Sequence, residues 1–211
     1  MNNLEKLFYA TFSKANNLRE NDNTDLKLPF TVYKSELTPA MSNDLRISGW
    51  GIFYSGLLLC SIIIFIKYYK QYKKETSILY TIVITIFLLL IMSESWWARY
   101  TPHFYLFIIL SLYILFKYEK KNLISNIYVV IILINTLIPF MGNSYYTLKN
   151  SIQIHKELKS LSNTEIKLNV NGMNGIVYNL KDYHVTYHIM KENGKKELYY
   201  HYLTYEGEED E

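Results

Sequence analysis

The chain has 211 residues, with 22 Lys and Arg against 19 Asp and Glu, a net charge of +3 and a single cysteine, Cys60. So small a charge gives no footprint for nucleic acid, and one cysteine excludes an intrachain disulfide and a cysteine-based metal site. Half of the residues are hydrophobic, and they are concentrated in the middle of the chain between two polar ends.

From the N-terminus, residues 1–48 read as a segment without a closed core. Leu4, Leu7, Phe8 and Phe12 keep helical spacing and predict a short amphipathic helix. The stretch 16–25 is polar and turn-rich, and Leu28-Pro29-Phe30-Thr31-Val32-Tyr33 predicts a short extended piece. Asn43 or Asp44, ahead of Gly49-Trp50-Gly51, suits the cap of a following helix.

Four apolar runs follow, at 51–66, 78–92, 104–116 and 124–141, each nearly free of charge. About 20 apolar residues at ~1.5 Å rise cross a hydrocarbon core, and inside lipid every backbone polar group must be satisfied within its own segment. The expected fold is an α-helical integral membrane protein with four transmembrane helices over 49–142. Tyr68, Tyr69 and Tyr72, then Trp96, Trp97 and Tyr100, then Tyr113 and Tyr118 stand at the ends of runs, where amphipathic rings favour the membrane–water boundary. The shorter runs would be accommodated by tilt and local thinning of the bilayer.

Lys67, Lys70, Lys73 and Lys74 separate the first two runs, and Lys117, Lys120 and Lys121 the last two, whereas the second connection offers only Arg99. The positive-inside rule puts the lysine-rich loops in the cytoplasm. Residues 1–48, the connection 96–103 and everything after Met141 then share the external face of the cell membrane. No signal peptide is evident, because the first apolar run begins about fifty residues in.

The tail, 143–211, changes character. Tyr145, Leu148, Ile152, Ile154, Leu158 and Leu161 continue a helix from the last run. Beyond Asn163 the period becomes two, and strands are expected over 165–170, 176–180, 183–191 and 196–205, with Asn193-Gly194 as a two-residue hairpin turn. That hairpin puts His188 opposite Tyr199 and Thr186 opposite His201, so His184, His188 and His201 share one face while Val185, Tyr187, Ile189, Leu198, Tyr200 and Tyr202 share the other. With no carboxylate or cysteine joining the histidines, a solvated face is expected rather than a metal site. The tail therefore reads as a small external α+β domain, a helix plus a β-meander.

Asp44-Leu45-Arg46-Ile47-Ser48-Gly49-Trp50-Gly51 and Glu94-Ser95-Trp96-Trp97-Ala98-Arg99-Tyr100-Thr101-Pro102 resemble stretches in the C-terminal half of bacterial glycosyltransferases of the GT-C type. The resemblance covers roughly residues 4–141. It departs from the family pattern at Trp50 and Ile52-Phe53, which replace parts of a Gly-Phe-Gly-Pro-Leu-like turn, and at His103, where a glutamine is frequent. It implies transfer of sugars from polyprenyl-phosphate carriers to surface polysaccharide outside the cytoplasmic membrane. The class carries its catalytic carboxylate in an external loop after an earlier span, so the resemblance implies a split or truncated C-terminal portion, inactive alone, that acts with an upstream membrane half.

Within these stretches, Trp96, Trp97 and Tyr100 form either an interfacial anchor or a sugar-stacking platform. Arg99 either neutralises a carrier phosphate or reaches to the headgroups or Glu94. A carboxylate at the end of an apolar run is costly unless paired or wet, which singles out Glu94. Arg46 joins a binding site only if it converges with Arg99. The expected contribution is carrier-lipid or acceptor binding through Arg46, Glu94, Trp96, Trp97, Arg99 and Tyr100, with no catalytic residue assigned, no metal and no cofactor. The alternative is a non-enzymatic membrane accessory protein whose external tail binds a partner.

Overall fold

The computed structural model describes residues 2–16, 25–41, 45, 47–170, 176–198 and 203–207. The chain divides into two compact units, Met1–Asn143 and Ser144–Glu211.

The first unit is helical. Helix α1 (Asn3–Phe12) starts in a capping box, in which the Glu5 amide donates to Asn2 Oδ1 (2.8 Å) and the Asn2 amide to Glu5 Oε2 (2.9 Å). Helix α2 (Lys34–Ala40) follows an extended stretch, and α3 (Tyr54–Tyr72) and α4 (Thr76–Ile91) form the first apolar pair. A 3-10 turn at Pro102–Tyr105 leads into α5 (Leu106–Tyr118), and α6 (Asn122–Ser160) runs through Pro139 into the second unit. Helix α5 packs on α3 and α4.

Among the described residues one helix, α6, is long and apolar enough to cross a membrane, and α4 and residues Pro102–Tyr118 are shorter apolar helices. The four expected apolar runs are thus four helices, α3 to α6, of unequal length. Tyrosine, lysine and glutamine in the last turns of α3 make it more polar than its apolar start suggests.

The first unit has an apolar core that includes Trp50, Tyr54, Leu57, Ile108 and Ile114, but it also buries polar side chains and exposes many large apolar ones. Ser55, Ser61, Thr85, Ser111, Ser125 and Asn135 are buried, whereas Ile63, Val83, Phe87, Ile109, Phe116 and Phe140 are exposed, Ile63 by 62%. The Ser61 hydroxyl lies 3.0 Å from that of Ser111 and 2.9 Å from the Tyr128 hydroxyl, and the Ser111 and Tyr128 hydroxyls lie 2.7 Å apart. This triangle ties α3, α5 and α6 together without leaving a hydroxyl unpaired.

Residues 1–48 hold more structure than the sequence suggests. The Ser48 amide donates to Ala10 O (2.8 Å), Asn16 bridges to Ile47, and Ser13 bridges to Leu26. Lys27 and Glu36 form a fully buried ion pair (2.5 Å), in which Lys27 also donates to Ile52 O (3.0 Å) and Glu36 accepts from the amides of Ala15 (2.8 Å) and Tyr33 (2.9 Å). Ala15, Ala40, Leu45 and Ile52 form a small buried cluster with Ile138 of α6 against it. The segment closes no core of its own: its buried cluster is completed by Ile52 and by Ile138 of α6.

The second unit has a four-stranded mixed sheet in the order β2-β1-β4-β3. Strand β1 (Glu165–Asn169) pairs in parallel with β2 (Thr186–Ile189) and antiparallel with β4 (Leu203–Gly207), whose other neighbour is β3 (Lys196–Leu198). Helix α7 (Ile176–Asp182) stands where a strand over 176–180 was expected. A parallel pair cannot be closed by a tight turn, and α7 occupies the crossover that β1 and β2 require. Leu158, Leu161, Ile166, Leu168, Leu180, Val185, Leu198 and Leu203 make the core.

The expected meander is therefore corrected. Asn193-Gly194 is not a two-residue hairpin turn between β2 and β3, which lie at opposite edges of the sheet. Gly194 is needed for a different reason: a Cβ there would lie 2.5 Å from the carbonyl of Tyr205, so only glycine lets this loop approach β4. Thr186 pairs with Glu165 and His188 with Lys167 in register, His188 Nε2 lies 2.7 Å from Glu165 Oε1, and His184 sits in a turn at φ +57°. His201, Tyr199, Tyr200 and Tyr202 lie outside the described residues, and Ile189, expected on the apolar face, is exposed.

Candidate functional site

The connection from α4 to α5 is a chain of tight turns. The Ser95 amide donates to Met92 O, Trp97 to Glu94 O, Tyr100 to Trp97 O and Thr101 to Ala98 O, at 3.0–3.3 Å. Thr101, fully buried, closes the connection by donating from Oγ1 to Ser95 O and Trp97 O, both at 3.3 Å. Local hydrogen bonding of this kind holds a connection in one shape although it contains no regular element.

The connection docks on the 49–54 turn. Trp50 Nε1 donates to Thr101 O (3.4 Å), and the Trp50 ring stacks on Tyr54 at 5.4 Å and meets Phe104 edge-on at 5.2 Å. A Cβ on Gly49 would lie 2.8 Å from Ala98 Cβ, so the two chains approach as closely as glycine allows. Ser48 (φ +59°) and Gly51 (φ +111°) carry the left-handed turns that bend the chain here. The stretches 47–51 and 94–102, far apart in sequence, are thereby one structural feature.

Asn135 of α6 locks that feature. Its Nδ2 donates to Trp50 O (3.0 Å) and Tyr105 Oη (2.7 Å), and its Oδ1 accepts from the Phe53 amide (2.7 Å), while Tyr105 Oη also donates to Trp50 O. A side chain on Gly51 would collide with Asn135. Asn135 was not singled out by sequence reasoning, although an amide in the middle of the run 124–141 is the kind of residue that marks a buried interhelical contact.

Trp96, Trp97, Arg99 and Tyr100 come together. The Trp96 and Trp97 rings stack at 5.8 Å, and Tyr100 meets Trp97 edge-on at 5.2 Å. The Arg99 guanidinium carbon lies 4.4 Å from the Trp97 ring centre and 5.1 Å from that of Tyr100, and Nη2 donates to Tyr100 Oη (3.2 Å). Arg99 and Tyr100 are exposed, so the group is a cation spread over an aromatic surface. Glu94 is also exposed, and among the described residues no ion pair joins it to Arg99. Arg46 lies outside the described residues, as does Asp44. Ser95 Oγ, Trp96 Nε1 and His103 Nε2 are buried atoms with no hydrogen-bond partner. A buried polar atom without a partner costs about 1–3 kcal/mol.

The opposite end of α3 carries the charges. Glu119 accepts from Lys67 Nζ (2.7 Å) and Tyr68 Oη (2.5 Å), and the Lys121 amide donates to its other oxygen (3.1 Å). Glu75 pairs with Lys117 (2.8 Å) and accepts from Tyr118 and Tyr113. The Lys67 bond, then that from Tyr68, hold the Glu119 carboxyl down at about 2, and Lys117 and Tyr118 likewise lower that of Glu75. The two lysine-rich loops are thus clamped to each other at one end of the unit.

The second unit has a cavity of about 540 Å³ lined in part by Asn163, Thr164, Glu165, Thr186, Lys196 and Tyr205. Among the described residues no group of three His, Cys, Asp or Glu could hold a metal ion. Compared with known proteins, the chain matches no family model, no curated protein and no solved structure.

Proposed function

We propose that the chain is a multipass protein of the cytoplasmic membrane, with α3 to α6 spanning and the lysine-rich end inside. It serves surface polysaccharide assembly as the C-terminal portion of a GT-C-like glycosyltransferase, where it binds a polyprenyl-phosphate-linked sugar or its acceptor and acts with an upstream membrane half.

The observation that carries the membrane reading is that the first unit, around its apolar core, buries hydroxyl and amide side chains and exposes many large apolar ones. In water, large aliphatic side chains on so many exposed positions would drive association, while in lipid they meet their own kind and buried hydroxyl and amide groups hold the helices together. The binding reading is supported by the connection 94–103. A guanidinium resting on two aromatic rings is preorganised for phosphate, the rings offer faces for a sugar, and the unpartnered Ser95, Trp96 and His103 atoms suit hydroxyl or phosphate oxygens. The accessory alternative is supported by the second unit, a compact domain with its own core and a polar cavity suited to a partner's side chains.

Arg99→Lys tests the binding role. It keeps the charge but loses the planar fork and much of the ring contact, so carrier binding and sugar transfer by the chain with its upstream half should fall sharply at normal abundance. Transfer at the wild-type rate would leave the aromatic group as an interfacial anchor only.

A further inference from the structure

We infer that residues 26–37 form a hook that lies in the lipid at the headgroup–acyl boundary, anchoring the N-terminal segment to the bilayer; the inference rests on the membrane reading of the first unit. Leu26, Leu28, Phe30, Val32, Tyr33 and Leu37 are all exposed, Leu28 by 73%. This stretch contains three charged residues, and two of them, Lys27 and Glu36, are turned inward against each other with no exposure at all. A buried ion pair is seldom worth more than the apolar contacts it displaces, so fold stability alone gives no reason for the arrangement. What it does accomplish is an outer face of apolar side chains, with Lys34 as the exposed cation.

The tip of the hook is set in place. Phe30, a non-glycine residue at φ +64°, directs its ring into a notch on α3, where a Cβ on Gly56 would lie 2.6 Å from the ring. A bulky residue in that backbone region is held there only by its surroundings, and such strain is kept where a defined shape is used. From Gly56 the exposed apolar face of α3 continues through Leu59, Ile62, Ile63 and Ile66, so the hook extends the surface that the proposal puts in lipid. Lipid is therefore the occupant to which the hook is matched. Its flanks agree: Lys14 Nζ lies 4.4 Å from the Tyr33 ring centre, and tyrosine and lysine are the side chains that tolerate the headgroup layer.

The test uses the full chain, in a Cys60→Ala background, in vesicles of phosphatidylcholine and phosphatidylglycerol. Nitroxide labels at Leu28→Cys, and separately at Val32→Cys, are read for relaxation by oxygen, which partitions into lipid, and by a water-soluble nickel complex. Loss of the nickel effect at both positions, with a strong oxygen effect, is the expected result. A label at Ile63→Cys controls for the membrane reading itself. Nickel access at position 63 overturns that reading; nickel access at 28 and 32 with position 63 in lipid overturns the hook alone. Shielding of 28 and 32 from both reagents overturns it too, in favour of a protein partner.

Discussion

Both units of this chain bury an apolar core, but among the described residues the buried polar side chains all lie in the first. In the second, Ile166 and Leu168 are buried between Glu165, Lys167 and Asn169, which stay at the surface or near it, so the strand alternates as a strand in water does. In the first, Ser61, Thr85, Ser111 and Asn135 are inside and Ile63, Val83 and Ile109 outside. The same physical rule, that each side chain goes where its transfer free energy is lowest, gives both patterns if the two units face different solvents. The comparison is the strongest support for the proposed membrane reading, and it is the one to attack.

The most direct attack is a pair of truncations. Leu168, fully buried, should lose about 2–5 kcal/mol on Leu168→Ala, seen as protease sensitivity and an early denaturant transition of the tail. Ile63→Ala should leave the thermal transition of the detergent-solubilised chain within about 0.5 kcal/mol of wild type, because the side chain packs against solvent or lipid rather than protein. Similar losses for the two would mean that position 63 is covered by protein, and the contrast between the units would fail.

A second attack reverses the polarity of an inside position. In a water-type core, leucine in place of a buried amide of similar size is often tolerated. Asn135→Leu instead strands the Phe53 amide and takes one of the donors from Trp50 O, at about 1–3 kcal/mol for each group left unpaired. Ser61→Ala should cost less, since an interhelical hydroxyl bond within lipid averages about 0.6 kcal/mol and the Ser111–Tyr128 bond survives it. Thermal unfolding in detergent reads both. A more stable Asn135→Leu protein would show that the amide is no lock.

The sequence made the helices of the first unit legible because apolar runs announce themselves. Run 78–92 became Thr76–Ile91, and the expected extension of the last run into the tail became the single helix Asn122–Ser160. In the N-terminal segment the helical spacing of Leu4, Leu7, Phe8 and Phe12 became Asn3–Phe12, but the single contacts that tie down the rest, Lys27 with Glu36 and Phe30 with Gly56, leave no periodic trace. In the tail, period two marked the stretches that hold β1, β2 and β3, but it misread α7 as a strand and did not give the strand partners. The Asn193-Gly194 signal was overridden when Asn169 gathered the carbonyls of Lys191 and Glu192 at 3.2–3.3 Å, holding the loop to β1 rather than folding it into a hairpin. As for the candidate site, the aromatic and arginine cluster could be read from 94–102, whereas its docking on Trp50 and Asn135 depends on contacts across three elements.

The smallest expected effect sharpens the comparison at the charged end of the first unit, where polarity is ordinary and the carboxylates face lysines. Glu119 has its carboxyl pulled down to about 2 by Lys67 and Tyr68, against an unfolded value of about 4.3. The unfolded chain therefore takes up this proton first as the pH falls. The stabilisation from the clamp is full above about pH 4.3 and is lost as the pH drops towards the folded value near 2, with Glu75 acting in the same direction. The thermal transition should accordingly decline through this acid window, and Glu119→Gln should flatten part of the decline while lowering stability only slightly near neutral pH, as exposed ion pairs do. Lys67→Met should flatten the same window by removing the charge that depresses the carboxyl. An unchanged acid profile in both variants would mean that the two lysine-rich loops are not clamped to each other in solution, and that this end of the unit is held only by the apolar packing of α3 on α5.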